Sequence, residues 1–499
     1  MDQTKGPAGE QESPPPDTKT FLRIFPTVSL PMFLALTDQS IVTTSLPAIA
    51  GLLGAVEQIS LIVIGYMIAA TIAAPVYGWL GDGYGRRRLL LVALCIFACA
   101  AGLCAFATNV PMLIAGRILQ GFGGGGLMAL SHALIGEVVA PRNRVRYQGY
   151  FATLGVTSNG MGPVIGGVLS EYFGWRAIFL FSMPLAILAF FLVRRLPNST
   201  PAAKPQRFDY GGLILFAVFI VSLLSLLHFI QRFDGVRWMT LGALASVAAT
   251  SLYALLKLEA RQSHPLLPVD LFRNATTWRS VALAACYSAI LLSLLTFVPI
   301  YLRVMHDMTP SEIGLLVGPM TICIGAGSII TGRIVSRTGW TAIMPSCGLA
   351  LATIGLVCIA FLSADLRPLQ LSGLLAVMAF FLGTIMPVAQ VTVQVAAGAS
   401  RLGAAAAAIQ YSRTLGAALG TAIITTILFA SLTRGSEEVL QLFQAVLLRG
   451  PEVLDALAPE RMLEAQSHFA RSFRFSMLGI AGFAFLGTIL VWTMPLRRI

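Results

Sequence analysis

Three charged side chains lie inside long apolar stretches of the sequence, where a charge is costly. Asp38 is the one carboxylate well inside an apolar run of membrane-spanning length, and Arg117 and Arg413 are the two embedded cations. A charge in mid-membrane costs about 3 kcal/mol or more, so it normally faces a partner, water or a ligand. A carboxylate near a cation can also bind and release a proton when its burial or its distance from that cation changes.

Asp38 and Arg117 are predicted to lie at similar depths. Asp38 precedes the outer end of the first span by about nine residues, or roughly 14 Å, and Arg117 follows the outer start of the fourth by about six, or roughly 9 Å. Since an arginine side chain covers that difference, we expect both in the outer-to-middle part of one cavity. The hypothesis is that Asp38 carries a coupling proton and that Arg117 adjusts how strongly Asp38 binds this proton. The alternative is a static buried pair that holds helices together.

Other polar side chains within the spans are candidates for lining a substrate cavity. They are Gln39, Thr43, Gln120, Gln410 and Arg413. Thr43 has the alternative of bonding to its own helix, and Arg413 could meet an anionic substrate or bind backbone carbonyls. His132, near the inner end of the fourth span, is interpreted as structural. Glu137 and Glu171 lie at span ends, where solvation explains them.

The elements that position these groups are predicted to be membrane-spanning helices. The chain of 499 residues is 56% hydrophobic and 11% charged, with a mean hydropathy of +0.80, whereas soluble proteins carry about 25% charged residues. Apolar runs of about 20 residues, the length that crosses a bilayer core, recur along the chain. Their continuity excludes the alternating strands of a membrane barrel. We predict an all-α polytopic membrane protein with fourteen transmembrane helices.

The basic residues predict how the helices are oriented. Of the 34 lysines and arginines, 22 fall in segments on one side and five in the short loops on the other. Basic residues accumulate in cytoplasmic loops, so both termini are expected in the cytoplasm and the protein in the cytoplasmic membrane. The same bias explains the net charge of +12 without a nucleic-acid partner. The seven cysteines lie in apolar runs without a complete ligand set, so neither metal nor cofactor is expected.

The stretch GWLGDGYGRRRLLL (78–91) connects the second and third spans. Gly85 permits a turn with positive φ, and Asp82 can approach the positive N-terminus of a neighbouring helix; a plain basic turn is the alternative. The stretch resembles the loop signature of the major facilitator superfamily, which implies a cytoplasmic gate. The matching residues are Gly78, Leu80, Asp82, Gly85, Arg86 and Arg87, while Gly83 replaces a basic residue.

A weaker copy of this loop supports an internal repeat. GRIVSRTGW (332–340) aligns with residues 78–86 and has Ser336 in place of Asp82. Both follow the second span of a six-span set if spans seven and eight are an insertion. The expected division is a disordered cytoplasmic tail (1–20), an N-terminal six-helix bundle (21–195), a linker with two additional helices (196–275) and a C-terminal six-helix bundle (276–499). A long extracytoplasmic segment at about 433–473 is expected to lie on the membrane surface or dock to a partner.

Further stretches resemble one branch of this superfamily. Gly162, Pro163, Gly166 and Gly167 of GMGPVIGG (160–167) are similar to a motif of its antiporters, and LTDQSIVTTSLPAIA (36–50) to a first-span motif of its fourteen-span drug:proton antiporter group. The resemblance covers residues 21–496 approximately. It implies two six-helix bundles plus two extra helices, and proton-coupled export of small amphipathic compounds by alternating access, as in multidrug efflux and antibiotic resistance. The implied partners are the substrate, protons and membrane lipids, with a periplasmic adaptor as a further candidate and a monomer as the working unit.

Two other function classes fit the sequence less well. A proton-coupled symporter for a small nutrient or organic acid is disfavoured by the Gly-Pro motif at 162–163. An integral-membrane enzyme would need a clustered catalytic set, but the five histidines are scattered. No phosphate-binding loop is present, which excludes an intrinsic ATP motor. The second half has no acidic residue deep in a span, which favours a monocationic, neutral or weakly acidic amphiphile over a dication.

Overall fold

The chain folds almost entirely into α-helices in its computed structural model. The structure describes residues 18–53, 59–196, 208–230, 238–262, 269–362, 366–433, 439, 441–443, 445–446 and 459–499. Within these ranges the β-type pairing is confined to one isolated bridge between Trp340 and Arg498. The prediction of an all-α protein is confirmed.

The first six helices are α1 (Thr18–Leu53), α2 (Ile59–Tyr84), α3 (Arg86–Ala105), α4 (Val110–Val138), α5 (Pro141–Phe173) and α6 (Arg176–Arg194). The next are α7 (Tyr210–Ile230), α8 (Trp238–Glu259) and the short α9 (Val269–Arg273). The remainder are α10 (Ala275–His306), α11 (Pro310–Thr338), α12 (Ile343–Leu362), α13 (Pro368–Leu382), α14 (Ile385–Ala397), a 3₁₀ turn (Ala399–Arg401), α15 (Leu402–Thr433) and α16 (Pro459–Trp492).

Local sequence sets several of these helix ends. Asn109 caps α4, since its side chain accepts a hydrogen bond from the Met112 amide at 2.8 Å. Thr309 and Glu312 form a reciprocal capping box at the start of α11, which satisfies amides that have no partner inside the helix. Gly174 ends α5 with φ of 78°, a conformation that costs glycine little.

Twelve helical stretches of the described chain are long and apolar enough to cross a membrane. α13 and α14 count together as one of them, because they form a nearly continuous stretch. α1 and α5 have 36 and 33 residues but are not among the twelve, and α5 opens with the polar run PRNRVRYQ. The chain is therefore a multi-pass membrane protein, and the count of fourteen spans stays a prediction.

Two groups of helices have separate apolar cores. One core lies within α1–α6 and includes Phe97 and Phe151. The other lies mainly within α10–α16 and includes Phe297 and Phe469. α7 packs on α8 and also against α2 and α15, where Phe216 contacts Tyr411 with 5.8 Å between ring centroids. The additional helix pair therefore lies along one seam between the two groups.

The two groups meet closely at the end of the bundle that carries the α2–α3 turn. There α2 packs on α15, and α5 packs on α11. A Cβ at Gly149 on α5 would lie 2.5 Å from the Ser328 carbonyl oxygen of α11. Toward the opposite end of the same pair, a Cβ at Gly167 or Gly314 would meet no atom within 4 Å. The α5–α11 seam is thus tightest at the turn end.

The predicted segment at 433–473 and the predicted tail at 1–20 are only partly described. Phe443 and Val446 are buried, and the Phe443 ring lies 5.3 Å from the Phe469 ring of α16. α16 already begins at Pro459. These two residues therefore pack on the C-terminal helices. The expectation that the segment lies on the membrane surface or docks to a partner stays a prediction. Residues 18–20 begin α1, and residues 1–17 lie outside the described residues.

Candidate functional site

Asp38 and Arg117 form an ion pair between α1 and α4. Arg117 Nη1 donates a hydrogen bond to Asp38 Oδ2 at 2.6 Å. Gln120, one turn further along α4, closes a triangle. Its Nε2 donates to Asp38 Oδ1 at 2.8 Å, and its Oε1 accepts from Arg117 Nη1 at 2.8 Å. The two carboxylate oxygens are thus held by different donors of one helix.

Helices α2 and α6 enclose this triangle. The Arg117 guanidinium lies 4.3 Å from the centre of the Tyr66 ring, a cation–π contact. Ser182 of α6 donates to Asp38 Oδ1 at 3.4 Å. The side chain of Asp38 is 0% exposed and that of Arg117 is 1% exposed. The two residues therefore meet at one depth but do not line an open cavity, because each is enclosed by the side chains that bond it.

A central cavity lies between the two groups of helices. Its volume is about 40 Å³, and residues of α1, α4, α5, α10, α14 and α15 line it. The polar members are His132, Gln148, Asn159, Tyr287, Gln390 and Arg413. Of the residues predicted for a substrate cavity, Arg413 lies here. Gln148 and Gln390 are not among the residues predicted from sequence; their only signal was a polar side chain within a helix.

A second, neighbouring cavity holds two further predicted residues. Gln39 of α1 and Gln410 of α15 line a space of about 50 Å³ together with Thr414 and Tyr66. Leu36 lines both cavities, so they are adjacent. Because Tyr66 covers Arg117 and also lines this space, a single ring separates the buried ion pair from a cavity between the halves.

Two predicted cavity residues lie elsewhere. Gln120 is fully buried in the Asp38 triangle, since both ends of its amide are bonded there. Thr43 is exposed, and its hydroxyl donates to the Ser40 carbonyl oxygen at 2.7 Å. It therefore bonds to its own helix, which is the alternative that the sequence left open.

His132 occupies a structural position that also faces the central cavity. Its Nδ1 lies 2.8 Å from Gln148 Oε1, and its ring contacts Phe151 edge to face with 5.7 Å between centroids. Its carbonyl oxygen accepts a hydrogen bond from Gln394 of α14 at 2.9 Å. The residue thus joins α4 to helices of both halves.

The stretch 78–91 forms a cluster that links the two halves, which we name the latch: Asp82, Arg86, Glu137 and the amides of Gly403 and Ala404. Arg86 donates to Asp82 Oδ1 at 2.5 Å and to Glu137 Oε2 at 2.8 Å. Asp82 accepts from the Gly403 and Ala404 amides at 3.0 to 3.3 Å. It therefore caps the N-terminus of α15, as expected from the dipole of a neighbouring helix.

The structure of the latch corrects the prediction made for Glu137. Glu137 is not only solvated, since it binds Arg86 with its side chain 24% exposed. The exposed Glu171 agrees with the prediction.

The latch also depends on two glycine positions. Gly85 turns the chain with φ of 97°. A Cβ at Gly78 would lie 2.7 Å from the Gly403 carbonyl oxygen, so α2 and α15 approach at the level of the backbone. Arg87 reaches a different partner, the Arg194 carbonyl oxygen at 2.5 Å.

The loop at 332–340 does not repeat the latch. Ser336, which replaces the acid, donates to the Arg333 carbonyl oxygen of its own helix at 2.9 Å. A hydroxyl carries no negative charge with which to hold the amides of a distant helix end. The inter-half cap is therefore made by the first loop, and the two loops are not equivalent.

The predicted antiporter motif lies along α5 against α1. A Cβ at Gly162 would lie 2.3 Å from the Ser40 Cβ, so the missing side chain permits this approach. Gly166 accepts a hydrogen bond from the Ser45 hydroxyl at 3.5 Å, and Gly167 is exposed. The Pro163 side chain lies outside the described residues.

Comparison with known proteins agrees with this architecture. The model of the Major Facilitator Superfamily matches residues 28–421. The multidrug transporter protein MdtP of Bacillus subtilis is 29% identical over 402 residues, which are 80% of this chain and 74% of that protein. The uncharacterized MFS-type transporter Rv1877 of Mycobacterium tuberculosis is 32% identical over 80% of this chain, which spans 58% of that relative's length.

Solved structures share the fold at low identity. The human organic anion transporter MFSD10 superposes with a TM-score of 0.62 at 15% identity, over 94% of this chain and 99% of that one. The proton:xylose symporter XylE gives a TM-score of 0.62 at 15% identity, over 96% of both chains. The family match covers both groups of helices, so the major facilitator fold predicted from the motifs is confirmed. The chain belongs to the Major Facilitator Superfamily, and it is a membrane transporter rather than an enzyme.

Proposed function

We propose that this chain exports small amphipathic compounds in exchange for protons, by alternating access between its two halves. The observation that carries the proposal is the buried Asp38–Arg117 pair, separated from the inter-half cavities by the Tyr66 ring. A buried ion pair is rarely the most stable choice for a helix contact. Proton coupling would account for such a pair, because the carboxylate would alternate between a salt-bridged and a protonated form.

Proton binding changes what α1 can bond. Charged Asp38 holds Arg117 and Gln120 of α4. A proton on Asp38 removes its charge and weakens the bond to Arg117, which loosens α1 from α4. Because Gln39 and Leu36 of α1 line the cavities, the shape of the substrate site then depends on the proton. Substrate and proton would in this way favour different conformations, as exchange requires.

The latch supports the sidedness of this cycle. We place the latch end in the cytoplasm, with both termini, because the basic loops cluster there. The closure of α2 on α15 at that end then describes a conformation facing outward. Rocking of the halves about the central cavity would break the Asp82 cap and open the inner side. The names of several relatives, including Efflux pump FUS6 of Gibberella fujikuroi, support the direction of export.

The experiment is a proteoliposome assay with an imposed pH gradient and a panel of cationic, neutral and anionic compounds. Wild-type protein should release protons when a transported compound is added. Asp38→Asn should lose at least nine tenths of gradient-driven transport, because the amide cannot carry the proton. Glu171→Gln is the matched control, since it neutralises an exposed carboxylate and should transport normally. Normal coupled transport by Asp38→Asn would contradict the coupling role.

A further inference from the structure

Arg413 is a cation without a counter-charge in the central cavity. It lies on α15 and is partly buried. Within the described residues it forms neither an ion pair nor a hydrogen bond, and its Nε is a buried donor without a partner. Arg117, the other embedded arginine, is bonded to both Asp38 and Gln120. A guanidinium presents five donors in a fixed fork that suits a carboxylate or a sulfonate.

Two carboxamides of the same cavity present further donors. Gln148 on α5 is 2% exposed and Gln390 on α14 is 1% exposed. Gln148 Oε1 is paired with His132 Nδ1, which leaves Gln148 Nε2 without a partner in the described part of the chain. Both amide atoms of Gln390 also lack a partner among the described residues. Buried polar groups are normally bonded, so donors of three helices surround a space that a hydrogen-bond acceptor fits.

The charge of the cavity lining is positive only. Among the residues that the structure describes, neither the central cavity nor its neighbour is lined by an aspartate or a glutamate. Asp38 is turned away into its triangle with Arg117. A cationic substrate would therefore meet Arg413 with no opposing carboxylate, whereas an anion would neutralise it. Like charges in a site of low dielectric constant repel strongly.

We propose that Arg413, Gln148 and Gln390 bind the anionic head group of the exported compound, so that the substrate is a monoanionic amphiphile. This assignment rests on the proposed export function. The cavity volume of about 40 Å³ holds one small polar group or a few waters. The rest of the substrate then lies against the apolar lining, which includes Met32, Phe151 and Leu291, once the halves part. The donors belong to both halves, so a bound anion contacts both at once.

The test compares three probes that share one naphthalene ring. They are 2-naphthalenesulfonate, naphthyltrimethylammonium and 2-naphthalenesulfonamide, whose anionic, cationic and neutral groups separate charge from shape. Binding is measured by equilibrium dialysis with protein in phosphatidylcholine nanodiscs. Wild type should bind the sulfonate at least tenfold more tightly than the cation. Arg413→Gln should weaken sulfonate binding about tenfold or more, since charge-assisted bonds are lost, and leave sulfonamide binding within about twofold.

Three further variants control this result. Arg413→Lys should keep part of the sulfonate affinity, because it keeps the charge but not the fork. Gln390→Leu, which retains the arginine, should lower it several-fold. Arg474→Gln should change nothing, because Arg474 of α16 also has an unpartnered Nε but lies outside the cavity. These variants keep the test valid if Arg413→Gln does not fold.

Three outcomes would overturn the assignment: wild type binds the cation as tightly as the sulfonate, it binds no sulfonate, or Arg413→Gln keeps its sulfonate affinity. None of them bears on proton coupling. If an imposed pH gradient drives transport of the cationic or neutral probe in proteoliposomes, proton-coupled export is supported and the anionic substrate class is rejected. If no probe drives proton release although the sulfonate binds through Arg413, the site is supported and the coupling is not.

Discussion

Asp82 of α2 accepts hydrogen bonds from the Gly403 amide of α15 through both carboxylate oxygens, at 3.0 and 3.1 Å. The two residues are 321 positions apart and belong to opposite halves of the transporter. Arg86 holds the same carboxylate from one turn further along the chain. A single acid therefore ties the N-terminal half to the first turn of a helix in the other half, at one end of the molecule.

Removal of this acid should shift the conformational balance rather than the substrate preference. We expect Asp82→Asn to lower the transport rate several-fold, because an amide loses the charge that favours the helix N-terminus. The ratio of rates among substrates should stay within about twofold, since Asp82 lines neither cavity. Initial rates for three chemically different substrates provide the measurement. Hydrogen exchange of the Gly403 and Ala404 amides should become faster.

Glu137→Gln is the matched comparison for Asp82→Asn. Glu137 binds the same arginine, but its side chain is 24% exposed against 11% for Asp82, and its bond to Arg86 stays within the N-terminal half. A more exposed pair contributes less, so the transport rate should fall less than with Asp82→Asn. Equal losses in the two variants would show that Arg86, rather than the inter-half cap, decides the rate.

The close approach of α2 and α15 gives a second test of closure. A Cβ at Gly403 would lie 2.3 Å from the Gly78 carbonyl oxygen and 2.8 Å from Asp82 Oδ1. Gly403→Ala should therefore force the halves apart at the latch end and lower the transport rate. Gly83→Ala is the control from the same turn, because its Cβ would meet no atom within 4 Å. Similar rates for Gly403→Ala and wild type would mean that closure at this end is not needed for transport.

The Asp38–Arg117 pair predicts a strong coupling in protein stability. Removal of one partner leaves a buried, uncompensated charge, which costs about 3–5 kcal/mol. We expect Arg117→Gln to lower the Tm of the purified protein, and the double variant Asp38→Asn with Arg117→Gln to recover much of the loss. Thermal unfolding of both single variants and the double variant gives the interaction energy.

This double-variant cycle also separates packing from proton coupling. The double variant should regain Tm without regaining gradient-driven transport, because the amide that replaces the Asp38 carboxyl group cannot be protonated in its place. If the double variant transports normally, the pair only holds α1 to α4. Additive changes in Tm would instead mean that the two side chains do not depend on each other in the folded protein.

Several parts of the site could be predicted from sequence because a charge inside an apolar membrane span has a high free-energy cost. A charge within an apolar run needs a partner, which singled out Asp38 and Arg117, and helical rise placed the two at similar depths. Arg86 was one of two arginines that matched the loop signature, whereas its bond to Glu137 could not be foreseen. A glutamate at a span end looks solvated unless its neighbour across α3 and α4 is known.

What the sequence determined by itself is local: the α-helical class, the membrane-spanning lengths, the turn at Gly85 and the identity of the charges that need partners. Hydropathy and local backbone geometry are properties of one continuous stretch of chain, so they can be recognised from that stretch alone. The tertiary structure alone decided that Asp82 caps α15, that Gln148 and Gln390 line one cavity with Arg413, and that Phe443 packs on α16. Those contacts depend on how distant helices cross and rotate, and no periodicity within one helix specifies which faces meet.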